Sequence, residues 1–481
     1  MTTRPSVVVV GGGIAGLAAA WELTGAQEGP SESTPRIELI EESEHLGGAL
    51  TTLEFCDRVI DLGPDGFLAR RPEALALAKE LGLEDQLEAI CAAGASIWLK
   101  GALEELPAGL VLGVPTDAKS LKAMKGLSWS SRWSAWRDQH APRKLKVTDD
   151  VSIGLILRTK LGGELTYQLI EPMVGGIQAG RVDELSAAAV FPALYDAAQR
   201  GGSLMKALRG AGHTGPVAER VLGPLFMTLR GGVGSLADEL TRQLSERGVV
   251  VRTGTAVSAL RPTPSGTYPW EVDTSDTTTG ASAVILATPA PVAGRLTSAL
   301  DEVLTQLQSI TSAGAAVITF VFDAADTTLP PTGTGVLVPL ATEWHDDVMM
   351  ITAITFLDRK WAHLRRDGQI LLRAHVGRID DRRCEVLSDD ALAQRVRDEL
   401  TTILGRVGAP IDVCVQRWPQ GLPQYYVGHL DLVARARHAL SPFSIRLAGS
   451  AYDGVGVPAS VGSGRRAARE VLTLLANSDQ S

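Results

Sequence analysis

The stretch VVVVGGGIAGLAAAWEL, residues 7–23, constrains this chain more than any other. Four consecutive valines cannot alternate between core and solvent, so they predict a strand buried on both faces. Gly11, Gly13 and Gly16 follow at G-x-G-x-x-G spacing, with Gly12, Ile14 and Ala15 between them, and an Ala-rich run continues as a helix. In that setting Gly11 allows a tight turn and Gly13 lets the backbone approach a pyrophosphate at the helix N-terminus. Gly16 lets the helix lie close against the strand. A polar loop at 24–36 leads to a second strand, 37–41, which ends in Glu41, 25 residues after Gly16. A carboxylate there can accept hydrogen bonds from an adenosine ribose and would repel a 2′-phosphate. Strand, glycine turn, helix, strand and acid together predict a parallel sheet and a bound dinucleotide other than NADP.

The residues after Glu41 favour FAD over NAD. Gly47-Gly48 stands seven residues past the acid, in a loop with Glu42 and Ala49, and IDLGPDGF then brings Gly63, Pro64, Asp65 and Gly66. A simple NAD enzyme has no use for a second glycine pair, whereas a flavin threaded beyond the pyrophosphate needs room lined by backbone. The C-terminal AGSAYDGVGVPASVGSG, residues 448–464, is equally stripped of bulk, although a strand-like run leads in and a helix former leads out.

Bulk properties narrow the class. The 481 residues are enough for about three domains. A net charge of −9 argues against general nucleic-acid binding. Cys56, Cys91, Cys384 and Cys414 are scattered singles, so neither a disulfide framework nor a metal site is expected, and a reducing, cytoplasmic setting fits. The N-terminal apolar run is too short for a signal peptide, and no run approaches the ~20 apolar residues that span a bilayer. One segment breaks the acidic balance: residues 119–146 hold eight Lys or Arg against one acid, Asp138, with Trp129, Trp133 and Trp136 interleaved. Two readings stand. The segment rests on an anionic membrane surface or a partner enzyme, or it is a solvated helical lobe with tryptophans packed inward, which the charge run favours.

Further along, 73–90, 152–173 and 184–210 read as helical, and Arg230-Gly-Gly-Val-Gly234 opens a helix through Glu246. Strands follow at 249–260, 268–272 and 281–288 as a meander with a return strand, then at 313–323, 334–340, 348–355 and 369–376 before a helix at 389–405. The fold class expected is mixed α/β (α+β). Residues 1–75, 226–292 and 440–481 form a discontinuous Rossmann-like FAD-binding domain, 76–159 a helical lobe, and 160–225 with 293–439 a mixed-sheet substrate domain.

Several motifs together resemble a known family. RTKLGGELTYQLIEPMVGGIQAGRVDELSAAAVFPAL (158–194), TLRGGVGSL (228–236), GVLVP (335–339), TFLDRKWAHL (355–364), RWPQGLPQYYVGHL (417–430) and AYDGVGVP are similar to the protoporphyrinogen and coproporphyrinogen oxidases. Those enzymes lie within the flavin monoamine-oxidase-like superfamily, and the overall pattern resembles the soluble Gram-positive type. The resemblance implies an FAD-dependent, oxygen-using six-electron oxidation of coproporphyrinogen III to coproporphyrin III in haem biosynthesis, with hydrogen peroxide as co-product. Protoporphyrinogen IX is the alternative substrate, and flavin amine oxidases, carotenoid desaturases and non-catalytic Rab GDP-dissociation inhibitors use the same scaffold. It implies flavin contacts from residues 11–16, Glu41, Glu42, Gly48, Ala49 and residues 63–66. Val257 would contribute backbone, and Trp418, Val455, Gly456 and Val457 would flank the ring. The resemblance further implies that hydride leaves a meso carbon in each two-electron step, so that positioning and water exclusion would matter more than a strong acid–base pair, and no side chain stands out as catalytic. Arg70 and Arg71 are the candidates for the substrate propionates, with Arg181 a weaker one, and Gly175, Gly176, Gln178 and Ala179 would line the cavity. The family tyrosine is Gln178 here and the following acid is Arg181. No cysteine lies in 449–456, so FAD is expected to be noncovalent. Ferrochelatase and a membrane surface stay open as contacts of the basic Trp segment.

Overall fold

The computed structural model describes residues 4–26, 28–92, 94–209, 224–264 and 266–478. The 210–223 part of the expected substrate domain lies outside the described residues. The fold is mixed α/β, organised around two sheets.

The first is a five-stranded parallel sheet assembled from far-apart stretches, in the order Val250–Arg252, Arg36–Ile40, Ser6–Val10, Ala283–Leu286, Ile445–Leu447. Strand β1 (Ser6–Val10) is buried along its whole length, as an all-valine strand covered on both faces must be. Helix α1 (Ile14–Leu23) covers one face, and its small Ala18, Ala19 and Ala20 let it lie tightly in the core. The C-terminal helix Val457–Ser478 packs along α1. A Cβ at Gly464 would collide with the carbonyl of Ala15, so this glycine sets how closely the last helix approaches the first.

The run 249–260, expected as one strand, divides. Val250–Arg252 joins the parallel sheet, while Val257–Pro262 begins an antiparallel meander with Trp270–Thr274 and Thr278–Ala281. Gly254, at φ +62°, turns the chain between the two sheets. The helices expected at 73–90 and 152–173 are also broken, by Gly82 at φ +76° and Gly162 at φ +88°.

The second sheet has seven strands, in the order Pro410–Pro423, Ser312–Asp323, Gln369–Val376, Ile351–Phe356, Gly335–Leu337, Ser96–Leu99, Ala102–Glu105. Its last two strands come from the 76–159 range, so that range is not a purely helical lobe. The alternation of SIWL buries Ile97 and Leu99 beside Leu157, Val174 and Leu194. The strand Gln369–Val376 has two distinct faces. Ile370, Leu372, Ala374 and Val376 enter a core shared with helix Asp389–Leu404. Leu371, Arg373 and His375 point the other way, because side chains alternate along a strand.

The basic Trp segment overturns the inward-packing expectation. In helix Trp129–His140, Trp129, Trp133 and Trp136 are 78%, 49% and 49% exposed, while Ser131, Ala135 and Asp138 are buried. The tryptophans are turned out because Asp138 holds the helix by its other side. Its carboxylate accepts from Ser203 Oγ at 2.9 Å and from Met205 N at 3.1 Å.

Candidate active site

A parallel sheet gathers its strand ends on one edge, and that carboxyl edge is where ligands bind in such folds. Here the edge is stitched by a run of backbone hydrogen bonds. Glu41 N donates to Arg252 O (2.8 Å), Gly11 N to Ile40 O (2.8 Å), Ala287 N to Val10 O (2.7 Å) and Ala448 N to Leu286 O (2.9 Å). The first glycine run and the last therefore emerge from the same edge.

The glycines of the first turn differ in their surroundings. Gly11 has φ +103°, and a Cβ on it would lie 2.6 Å from the carbonyl oxygen of Ala287. A Cβ on Gly16 would strike the carbonyl of Gly11. Gly13 has an ordinary φ of −67°, and nothing lies within 4 Å of where its Cβ would be. Two of these glycines are thus required by packing, and the third faces open space at the start of α1.

Glu41 is held in place. Its Oε2 accepts from Gly12 N at 2.6 Å, and its Oε1 accepts from Ser43 N at 2.9 Å and Ser43 Oγ at 2.8 Å. Its carbonyl accepts from Thr255 N at 2.9 Å, which brings Val257 and the meander beside it. Glu42, Gly48 and Ala49 are exposed in the following loop. That loop sits directly on the first turn: Gly47 N donates to Gly12 O at 2.9 Å, and a Cβ on Gly48 would lie 3.3 Å from Gly13 Cα. A Cβ on Gly63 would in turn collide with the carbonyl of Ala49, so three glycine-bearing segments are stacked on one another.

The Gly63–Gly66 loop is fastened to the seven-stranded sheet. Asp65 accepts from Lys360 Nζ at 3.0 and 2.9 Å and from Trp361 Nε1 at 3.1 Å. Arg373, 1% exposed, donates to Gly63 O at 3.1 Å, to Thr319 Oγ1 at 3.2 Å and to Asp61 O. Trp418 Nε1 donates to Leu62 O at 3.0 Å. Sequence reasoning named Trp418 as a flank of the flavin and did not single out Arg373. A lone arginine in the apolar run ILLRAHV was the available signal, since a buried cation needs a dedicated set of acceptors.

The electrostatics follow from this packing. Burial raises the Asp61 carboxyl to about 7 despite Arg373 and the N–H of Gly234. Burial also pushes Asp65 upward, but Lys360 and Arg373 outweigh it and hold this carboxyl well below the usual range. His375 is lowered to about 4 by burial and by Arg373, which keeps its ring neutral near neutral pH. Asp61 binds its proton more tightly folded than unfolded. Its contribution to stability is therefore full at low pH and declines from about pH 4 to about pH 7. Asp61→Asn should remove that slope from a melting-temperature profile, leaving any acid-side loss from Asp65 in place. An unchanged slope would show that Asp61 does not titrate there.

At the other end of the chain, Gly449, Gly454 and Gly456 have φ of +117°, +115° and +106°. Nothing lies within 4 Å of a Cβ built on Gly449 or Gly456. Val455 lies between the two turn glycines, and Val457 begins the last helix, with Pro458 in its first turn. Asp453 fixes the loop by accepting from Arg437 Nη2 at 2.6 Å, Arg466 Nη2 at 2.9 Å and Ser463 Oγ at 2.5 Å.

The remaining candidates are divided. Helix Glu171–Gln178 ends at Ala179, which has φ +50°. The carbonyls of Gln178 and Ala179 accept from Gln424 Nε2 at 2.7 Å and Ile379 N at 2.9 Å. Gly176 is exposed with open space beside it, and Gly175 packs loosely against Gly180. Arg181 is committed to the protein's own acids, with Glu171 at 3.3 Å and Asp380 at 3.1 Å. Arg70 is half-buried, and the exposed Arg71 stands just before helix Pro72–Glu80, its side chain making no capping hydrogen bond. Among the described residues, no three His, Cys, Asp or Glu side chains converge as a metal site.

The profile of the flavin containing amine oxidoreductases matches residues 14–472. The chain belongs to that family. It is a flavin-dependent oxidoreductase. A coproporphyrinogen III oxidase of Bacillus subtilis is 32% identical over 478 residues, covering 98% of this chain and 99% of that protein. One from Mycobacterium leprae is 35% identical over 470 residues, covering 97% and 98%. The crystal structure of an Exiguobacterium sp. 255-15 protein, to which a protoporphyrinogen oxidase activity has been ascribed, superposes with a TM-score of 0.86. It is 31% identical and covers 98% of this chain and 100% of that one.

Proposed function

We propose that this protein oxidises coproporphyrinogen III to coproporphyrin III with noncovalent FAD and dioxygen, releasing hydrogen peroxide. The observation that carries this reading is the end-to-end similarity to proteins named coproporphyrinogen III oxidase, spanning nearly the whole of both chains. Room for a flavin supports this reading, because Gly13, Gly449 and Gly456 each border open space by the carboxyl edge of the parallel sheet. Residues 11–16, Glu41, Glu42, Gly48 and Ala49 would hold the adenosine and pyrophosphate. Residues 63–66, Val257, Trp418 and 455–457 would complete the cradle. None of the four cysteines lies in 449–456, which supports noncovalent binding. Bound FAD would take two electrons at a time from the substrate and pass them to dioxygen.

The chain's own residues would mainly position the substrate and exclude water. The sheet face beside the Asp61–Gly66 loop carries Ala315, Val317, Ala353, Thr355 and His375, in register across neighbouring strands. Four of these five are small or β-branched, and the fifth is a neutral imidazole whose Nε2 lies 3.2 Å from Thr355 Oγ1. Such a wall suits a bulky apolar macrocycle, and the one cation on the same face, Arg373, is buried and committed to the carbonyls of Asp61 and Gly63. The N-terminus of helix Val457–Ser478 would favour developing negative charge on the ring it faces. Propionates would meet cations at the mouth, with Arg71 the best candidate, since Arg181 is already paired twice.

Coproporphyrinogen carries four propionates and protoporphyrinogen two. The protoporphyrinogen reading is kept because of the activity ascribed to the Exiguobacterium protein. Porphyrin fluorescence on mixing the FAD-loaded protein with each substrate, reported as kcat/KM, tests both. A larger value on coproporphyrinogen supports the proposal, a larger one on protoporphyrinogen favours the second reading, and none on either sinks both. Arg71→Glu should raise KM for coproporphyrinogen by roughly 10-fold or more, the scale of one lost charge-assisted hydrogen bond, with flavin content unchanged. An unaltered KM would remove Arg71 from the site.

A further inference from the structure

The parallel sheet ends on strand Ile445–Leu447, and one side of that strand has no neighbouring strand. Arginine side chains bond the carbonyls there. Arg446 Nη1 donates to Phe443 O at 2.9 Å and Ile445 O at 2.7 Å, and Arg466 Nη2 donates to Leu447 O at 2.7 Å. Between this edge, helix His429–Leu440 and the last helix lies a cavity of about 140 Å³. Its wall takes Arg437 and Leu440 from the first of those helices, Ile445 and Arg446 from the strand, and Arg466 and Glu470 from the last helix. A cleft of about 440 Å³ shares Arg446, Arg466 and Glu470 with it and adds the exposed Arg469.

Two carboxylates string three of these arginines together. Arg437 Nη2 donates to Asp453 at 2.6 Å, and Arg466 donates to Asp453 at 2.9 Å and to Glu470 at 2.7 Å. Arg446 Nε lies 3.1 Å from Glu470. Three cations on two acids leave a positive excess, on a chain whose net charge is −9. Arg469 donates to Glu22 at 2.6 Å. The Nε–H groups of Arg437 and Arg466 are buried and have no acceptor among the described residues. Bonding the strand's carbonyls accounts for Arg446 and one arm of Arg466. It leaves Arg437 and the two idle donors unexplained. A buried N–H without an acceptor is costly, and guanidinium forks match the paired oxygens of an oxyanion.

We infer that this cavity binds a small anion of the phosphate class. Arginines reach it from three different elements, so a tetrahedral oxyanion, with oxygens in every direction, matches them better than a planar carboxylate. Binding has a consequence for the 449–456 loop. Asp453 fastens that loop, since it accepts from Ser463 Oγ, which itself accepts from Gly449 N at 2.8 Å. An anion on Arg437 and Arg466 would divide their donors and repel Asp453, slackening the loop. This second effect rests on the proposal that the loop flanks the flavin, whereas the binding itself does not.

Calorimetric titration of the full-length, FAD-loaded protein with inorganic phosphate and with inorganic pyrophosphate tests this, at an ionic strength held constant with sodium chloride. Loading with FAD fills the place where the flavin's own pyrophosphate would sit. One site with a Kd below about 1 mM is expected, the strength of two charge-assisted hydrogen bonds. Arg446→Gln and Arg469→Gln, made singly, should each weaken pyrophosphate binding about tenfold, with flavin absorbance and melting temperature as the checks on folding. Arg71→Glu should leave it unchanged, which separates this site from the one proposed for propionates. ATP distinguishes the sources: affinity above that of pyrophosphate assigns the site to a phosphorylated metabolite, and equal or lower affinity assigns it to free phosphates. No saturable binding, tighter binding of citrate than of pyrophosphate, or full binding by both arginine variants would overturn the assignment. With pyrophosphate bound, FAD should dissociate about fivefold faster, the low end of coupling between sites, and simple competition for the flavin's place would not change that rate. An unchanged off-rate would overturn the link to the loop.

Discussion

Gly13→Val is expected to yield a folded protein that cannot hold its flavin. At φ −67° with nothing within 4 Å, the position accepts a side chain without backbone strain or collision. The melting temperature of the flavin-free protein should therefore move little. Yet a valine there would fill the space at the start of α1 where a pyrophosphate would meet free backbone N–H groups. A loss of flavin affinity of about a hundredfold or more is expected, from several charge-assisted hydrogen bonds at roughly 1.5–3 kcal/mol each. Gly16→Val makes the contrast. Its side chain would run into the carbonyl of Gly11, so this variant should lose both fold and flavin. Thermal melting of the flavin-free forms alongside flavin titration separates the two outcomes. If Gly13→Val bound flavin normally, the open space beside Gly13 would not be where the cofactor lies.

Arg373→Met is expected to give the largest stability loss away from the glycines. The arginine is fully buried between the seven-stranded sheet and the Asp61–Gly63 segment and satisfies the carbonyls of Asp61 and Gly63 together with the hydroxyl of Thr319. Methionine approximates the stem but leaves those acceptors unpaired and removes one of the two cations holding Asp65 ionised. Removing one member of such a buried polar network typically costs about 3–5 kcal/mol. Because the same contacts position the Gly63–Gly66 loop, flavin should also dissociate faster. Denaturant unfolding and the flavin off-rate check the two halves. A stability change under about 1 kcal/mol would mean that the loop is held by Trp418 and Lys360 instead.

What could be read from the chain divides along the distance over which each feature is determined. The first turn, Glu41 and Gly47-Gly48 were legible because each is fixed by neighbours in sequence: strand period, helix start and turn chemistry. The final loop was legible for the same reason, as a run without bulk between a strand and a helix implies a close neighbour. Arg373 was not, because its acceptors belong to residues 61–63 and 319 and come together only when the 61–63 segment packs on the seven-stranded sheet. The strands at 96–99 and 102–105 were absorbed into a supposed helical lobe; they pair with each other as a hairpin, but the strand that joins them to the seven-stranded sheet, Gly335–Leu337, lies more than 200 residues away in sequence. The Trp segment misled for a different reason. Large rings are expected inside, but the 131, 135, 138 spacing of small and polar residues marked the opposite face as the buried one. Arg181 was a reasonable cation for a propionate until folding paired it with Glu171 and Asp380.

The central claim is that the two glycine-rich ends of this chain form one cradle for a noncovalent flavin. Incubating the purified protein with FAD, passing it through gel filtration and then denaturing it tests that claim most directly. Flavin absorbance should elute with the protein at one FAD per chain and move wholly into solution on denaturation. Protein that elutes colourless, or colour that stays with the denatured chain, would contradict it.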